Sequence, residues 1–120
     1  MNLKGKIGIF GQRLAISYLK SKDYEFLAEN FRSNEGEIDI IAQKDGQICF
    51  IEVKTRLSRK YGLPEESVSE KKEEKMKQTA FKYLEKQQIN HDDYRFDLIA
   101  IEIDKKQKKA FIRHYKNIGQ

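Results

Sequence analysis

Apolar residues recur at helical spacing from Lys6 to Lys20, with Ile7, Phe10, Leu14 and Tyr18 on one stripe and Ala15 and Leu19 beside it. That period predicts an amphipathic helix. Gly8 and Gly11 lie inside it, and each weakens a helix by on the order of 1 kcal/mol relative to alanine. Something is therefore expected to pack close to the helix backbone, and Ser21–Asp23 ends the pattern. Tyr24–Arg32, aromatic at Tyr24, Phe26 and Phe31, reads as a strand. After a polar break at Ser33–Gly36, two apolar-rich runs, Glu37–Gln43 and Gln47–Thr55, flank Lys44-Asp45-Gly46. An Asp-Gly between two strand patterns is a strong hairpin signal.

Arg56–Pro64 is polar and reads as a loop. From Ser69 to Gln88 a Glu/Lys/Gln-rich segment carries an apolar stripe of Met76, Ala80, Tyr83 and Leu84, and Ser67 or Ser69 offers an N-terminal cap. This is the second predicted helix. Arg95–Asp104 is almost continuously apolar, as in a strand covered on both faces, and Ala110–Lys116 can return beside it as an edge strand. The order helix, strand, hairpin, helix, strand, strand predicts an α/β fold, a mixed sheet with helices packed on it.

The hairpin carries the candidate chemistry. If Asp45 and Gly46 are the central turn residues, Lys44 faces Gln47, Ile41 faces Phe50, Asp39 faces Glu52 and Glu37 faces Lys54. Glu37, Asp39, Glu52 and Lys54 then project from one side, and Ile38, Ile40, Ile51 and Val53 from the other. Opposed residues have Cβ atoms about 4.5–5.5 Å apart, so Asp39 and Glu52 repel unless a cation sits between them. Mg²⁺ meets that demand, because it takes one or two carboxylates and fills its remaining positions with water or phosphate oxygens. Lys54 would lie beside the bound water and phosphate, where it could orient a nucleophile or stabilise charge developing on phosphorus. Without the pairing, four charged residues on a strand surface make only a solvated face, with Glu37–Lys54 as an ordinary cross-strand ion pair.

Composition sharpens this. The chain has 120 residues, enough for one domain spanning 1–120 with a single core and no staples. Its 24 Lys+Arg exceed 19 Asp+Glu by five, which invites a polyanionic partner. However, six of those bases lie in the basic C-terminal segment 105–120, which holds no acid, and without them 18 bases face 19 acids. Lys105–Lys109 reads as a solvated turn that adds at most sequence-independent attraction to phosphates. Cys49, the only cysteine, sits in an apolar run and reads as a buried thiol in a reducing compartment. No apolar run reaches the roughly 18 residues of a membrane span, and Met1–Phe10 lacks a secretion-signal core. The expectation is a cytoplasmic protein with no membrane partner.

Gly36-Glu-Ile-Asp-Ile-Ile41 and Phe50-Ile-Glu-Val-Lys-Thr-Arg56 resemble the YraN-type family of small bacterial proteins, within the PD-(D/E)XK nuclease superfamily alongside Holliday-junction resolvases. Gly8 and Gly11, Asn30-Phe31-Arg32, Gly62, Pro64, Lys71 or Lys72, and Arg95-Phe96-Asp97 extend the likeness over most of the chain. The resemblance implies a restriction-endonuclease-like mixed β-sheet flanked by helices and a Mg²⁺- or Mn²⁺-dependent endonuclease acting on DNA. It also implies that Asp39, Glu52 and Lys54 are catalytic, with Asp39, Glu52 and the Val53 carbonyl on the metal. Relatives carry a glutamate after the second helix glycine where this chain has Gln12, a neutral ligand that would weaken the site. The alternative is therefore a nucleic-acid-binding module of the same fold that cuts nothing. A two-fold homodimer suits a junction-cutting enzyme.

Arg56, Arg32, Lys71 and Lys72 are candidate phosphate contacts, with Arg56 the best placed and Glu37 an accessory to the site. Arg95 and Asp97 read as a structural ion pair. His91 and His114 lie outside every motif and receive no role.

Overall fold

A computed structural model describes residues 3–57, 63–64, 70–89 and 93–118. The elements run α1 (Leu3–Ser21), β1 (Glu25–Arg32), β2 (Glu37–Lys44), β3 (Gln47–Arg56), α2 (Glu70–Lys86), β4 (Tyr94–Asp104) and β5 (Lys109–Tyr115). Every element expected from the hydrophobic pattern is present, with no end shifted by more than three residues. The caps expected at Ser67 and Ser69, together with Gly62 and His91, lie outside the described residues. Among the described residues no helix is long and apolar enough to cross a membrane.

The five strands form one sheet in the order β1-β2-β3-β4-β5. All neighbours are antiparallel except β3 and β4, which run parallel. A parallel pair needs a crossover, and the stretch containing α2 supplies it. This mixed sheet flanked by two helices is the α/β architecture expected, and it agrees with a restriction-endonuclease-like fold.

Each helix covers one face. Ala15, Ile16 and Leu19 of α1 pack on Ile40, Ala42, Cys49, Ile51, Ile99 and Ile101. Met76, Ala80, Tyr83 and Leu84 of α2 pack on Ile38, Ile41, Ile48, Phe50 and Phe96. Strand β4 contributes to both clusters, as its unbroken apolar run requires. Cys49 is a buried free thiol, and burial pushes its pKa up to about 11.

The two helix glycines differ. A Cβ on Gly11 would sit 1.8 Å from Thr55 Oγ1, so Gly11 lets α1 lie directly on β3. At Gly8 a Cβ would meet nothing within 4 Å among the described residues, which show no close packing there.

On β4, level with Ile51 of β3, Asp97 is fully buried and saturated with donors. Arg95 Nε donates to both of its oxygens at 3.0 and 3.1 Å, and the Asn117 N–H donates at 3.0 Å. His114 Nε2 lies 2.8 Å away, and its Nδ1 lies 3.1 Å from the Tyr18 hydroxyl. Arg95 also donates to Gln47 Oε1 and to the Tyr24 hydroxyl. One carboxylate thus links β4, β5 and α1, and through Arg95 it reaches β3 and Tyr24. Burial alone would raise the Asp97 pKa, but the His114 and Asn117 hydrogen bonds and the Arg95 charge outweigh it and hold it low. Arg95 and Asp97 are structural as expected, and His114, given no role from sequence, is their partner.

Two outcomes follow, both read by urea titration. Gly11→Ala destabilises by about 1–3 kcal/mol through overpacking, and Thr55→Ala relieves only part of it because the residue 55 Cβ stays 2.8 Å from the added methyl. Asp97→Ala costs about 3–5 kcal/mol by leaving Arg95 without its buried partner. Because the Asp97 pKa is lowered in the folded state, its contribution is present above the unfolded carboxylate pKa and is lost as pH falls through the folded value.

Candidate functional site

The hairpin turn is the one the sequence demands. Asp45 and Gly46 take φ of 52° and 79°, the doubly left-handed turn that matches strand twist. From it the ladder runs through Lys44–Gln47, Gln43–Ile48, Ala42–Cys49, Ile41–Phe50 and Ile40–Ile51, the expected register. There it stops. The expected facing pairs Asp39–Glu52 and Glu37–Lys54 are not part of the ladder.

The cause is a side chain competing for a backbone donor. Asp39 Oδ2 accepts the Val53 N–H at 2.8 Å, so the carboxylate takes a donor on the opposing strand and β2 parts from β3. The neighbouring strand bends at the same level. Strand β1 pairs with β2 at Glu29–Ile40 and at Phe31–Ile38, with no ladder pair between, and Asn30 there has a positive φ of 54°. Alternation therefore resets at Asp39. Ile38 packs with the α2 cluster beside Ile41, whereas Ile40, Ile51 and Val53 face α1. The expectation that Ile38 shares a side with the other three is corrected by this kink.

Where the strands part, a cleft of about 930 Å³ opens between α1 and the ends of β1, β2 and β3. Gln12, Arg32, Glu37, Asp39, Lys54 and Arg56 all line it, as does Val53. Lys54 Nζ lies 3.2 Å from Glu52 Oε1, and both side chains are mostly covered, at 21% and 17% exposure. Glu37 pairs with Arg32 at 3.5 Å across β1–β2 instead of with Lys54. Lys71 and Lys72, near the start of α2, are both exposed, and Lys72 lies close enough to feel Lys54, Glu52 and Arg56. The structure thus brings Lys72 to the site.

Gln12 also reaches the kink. Its Nε2 donates to Glu29 Oε2 at 3.0 Å and to Asn30 Oδ1 at 3.1 Å. Arg13 forms an ion pair with the same Glu29. Neither Glu29 nor the Asn30 backbone is marked by period-two patterning, and only the Asn30-Phe31-Arg32 step gave a sequence signal at this position.

Electrostatics single out Asp39. Burial is the main cause that lifts its pKa from 3.8 to about 6, with the Glu52 and Glu37 charges adding to it and the Val53 N–H and Lys54 opposing. For Lys54, burial acts downward, but the Lys72 contact and the Glu52 and Asp39 charges outweigh it and the net shift is up. Lys72 is shifted down, first by its contact with Lys54 and then by burial.

Among the described residues, no three His, Cys, Asp or Glu side chains converge closely enough to hold a metal alone. The donor chemistry nevertheless fits a hard divalent cation that keeps water or phosphate ligands. Two carboxylates whose mutual charge disfavours ionisation of one would be relieved by it, and Mg²⁺ needs only one or two carboxylates.

A raised folded-state pKa means that the native protein binds a proton at Asp39 more tightly than the unfolded chain does. This contribution to stability is present below about pH 4 and is lost as pH rises towards 6. Asp39→Asn, which keeps an acceptor for the Val53 N–H, therefore stabilises the protein by about 1–3 kcal/mol at pH 7–8 and by little at pH 4. Urea midpoints measured across that range check this, and an equal effect at both ends contradicts it.

The sequence pattern of the Uncharacterised protein family UPF0102 matches residues 11–101. The chain is 49% identical over 108 residues to a UPF0102 protein of Caldicellulosiruptor bescii, covering 88% of this chain and 89% of that one. It is 43% identical over 112 residues to a UPF0102 protein of Alkaliphilus oremlandii, with 93% and 96% covered. A UPF0102 protein of Clostridioides difficile is 46% identical over 101 residues, with 84% and 88% covered. The matched span runs from Gly11, on which α1 meets β3, through Asp39, Glu52, Lys54 and Lys72 to Ile101. With that likeness over most of its length, the chain belongs to the Uncharacterised protein family UPF0102.

Proposed function

We propose that the protein is a divalent-metal-dependent nuclease that hydrolyses phosphodiester bonds in DNA. The observation that carries this reading is Asp39, with its raised pKa, in a cleft that Lys54, Arg32 and Arg56 also line where β2 leaves β3, with Glu52 paired to Lys54 and near enough for its charge to act on Asp39. Asp39 and Glu52, with the Val53 carbonyl, would hold Mg²⁺ or Mn²⁺. The cation, when bound, supplies Lewis acidity to a phosphoryl oxygen and lowers the pKa of a water. The protein's own groups do the rest. Lys54 is the fixed cation beside the scissile phosphate, where it stabilises charge that develops as the water oxygen bonds to phosphorus and the leaving oxygen departs. Arg56 and Arg32 suit phosphates because their forked donors match phosphate oxygens, and Lys72 adds a point charge from α2.

The second reading, a nucleic-acid-binding module that does not cut, is favoured by Gln12. Its amide is neutral, and its nitrogen is committed to Glu29 and Asn30.

Purified protein with Mg²⁺ or Mn²⁺ is expected to cleave at least one of duplex, single-stranded, flapped or four-way DNA. Asp39→Asn and Glu52→Gln each lower the rate about 10²-fold or more while leaving the circular dichroism spectrum unchanged. Salt-dependent DNA binding without cleavage establishes the module instead. If DNA neither binds at low salt nor is cut, both readings fail.

A further inference from the structure

Resting on the nucleic-acid reading, we infer that the cleft takes one unpaired nucleotide, its base between the first turns of α1 and the end of β3 and its phosphate at the Asp39–Lys54 end. A phosphate backbone alone does not account for the shape of this recess. One wall is apolar or bare backbone, made by Ile7, Gly8 and Ile9 of α1 facing Val53 and Leu57. The rest of the lining is largely ionic, with Arg13, Arg32, Lys54 and Arg56 outnumbering the carboxylates Glu37 and Asp39. An apolar wall gives a phosphate nothing, and a surplus of cations gives an apolar peptide nothing. A nucleotide needs both, because its base has apolar faces and its phosphate has charged oxygens. In a duplex those faces are stacked on neighbouring pairs and closed to the protein, so the cleft selects strands whose bases are exposed.

Gly8 supports the same assignment. Gly11 is required by contact with Thr55, but among the described residues a Cβ at Gly8 would meet no atom within 4 Å, so their packing gives no reason for a residue that weakens the helix. An open glycine on a cleft wall lets a ligand approach the backbone closely. Arg32, with its side chain 76% exposed, can follow a strand leaving the cleft while staying near Glu37. The volume of about 930 Å³ lies within the range of about 300–1,000 Å³ typical of ligand clefts.

The test measures fluorescence anisotropy with three labelled probes at low salt in EDTA, so that cleavage does not intervene. They are a 20-nucleotide mixed-sequence single strand, the same strand in a duplex, and a strand of equal length with abasic sites along its centre. The full-length protein is expected to bind the single strand at least about tenfold more tightly than either of the others. Gly8→Leu places a side chain in the cleft and brings the ratio of single-strand to abasic affinity close to one, with Gly8→Ala intermediate. Thermal midpoints are measured for both variants, and Gly8→Ala, whose added Cβ meets no described atom within 4 Å, is expected not to lower the midpoint. The inference is overturned if the duplex or abasic probe binds as tightly as the single strand, or if Gly8→Leu leaves the ratio unchanged. If the protein binds none of the three probes, the nucleic-acid reading itself fails, a result distinct from DNA binding without base dependence.

Discussion

The bond from the Val53 N–H to Asp39 Oδ2 sets the geometry of the whole site end of the molecule. A hairpin with a tight two-residue turn would ordinarily stay zipped along its length, and its register holds without fault through five pairs. At Asp39 a carboxylate accepts a donor on the opposing strand, and the strands separate. Every later feature depends on this. The cleft exists because β2 no longer lies flat against β3, and Ile38 turns towards α2 because alternation resets at Asp39. Glu37, expected to face Lys54, pairs with Arg32 instead, and Lys54 pairs with Glu52.

Two carboxylates in one sheet show how surroundings separate structure from chemistry. Asp97 is fully buried, yet its pKa is lowered, because Arg95, His114 and the Asn117 N–H more than offset desolvation. It is electrostatically complete and offers nothing to a ligand. Asp39 has one N–H and two like charges near it, and its pKa rises to about 6. Its ionised form is disfavoured by these surroundings, and the cation of the proposed function would relieve that. What separates them is how many donors each carboxylate has.

Much of this was legible in the sequence, and the part that was not has a physical cause. Local signals found the elements: 3.6-residue periodicity for α1 and α2, Asp45-Gly46 for the turn, and the apolar run of β4. The alternation in Glu52-Val53-Lys54 put both charged residues on one side of β3, where their ion pair confirms them. The kink escaped because period-two reasoning assumes an unbroken ladder, and a side chain that takes a backbone donor breaks it without changing the hydrophobic pattern. His114 escaped because its partner is reached only through the β4–β5 register and the fold of α1 over the sheet. The glycines could be flagged but not separated, since only the position of Thr55 distinguishes Gly11 from Gly8.

Gln12 is best understood through its neighbour. Gly11 rests on Thr55 with no room for a methyl, so α1 is held at fixed height and the next residue is delivered to the level of Asn30 and Asp39. Whatever stands at position 12 therefore acts on the kink. A carboxylate there would add negative charge close to Glu37, Asp39 and Glu52, where like charge already raises the Asp39 pKa. It would also face Glu29 and Asn30 Oδ1 as an acceptor, with no hydrogen to give either. The amide instead donates to both, tying α1 to β1 where β1 bends. Glutamine thus favours the metal-free protein, and the same neutrality removes one charge from the attraction for a cation. If metal does bind, Asp39 and Glu52 must supply most of the charge.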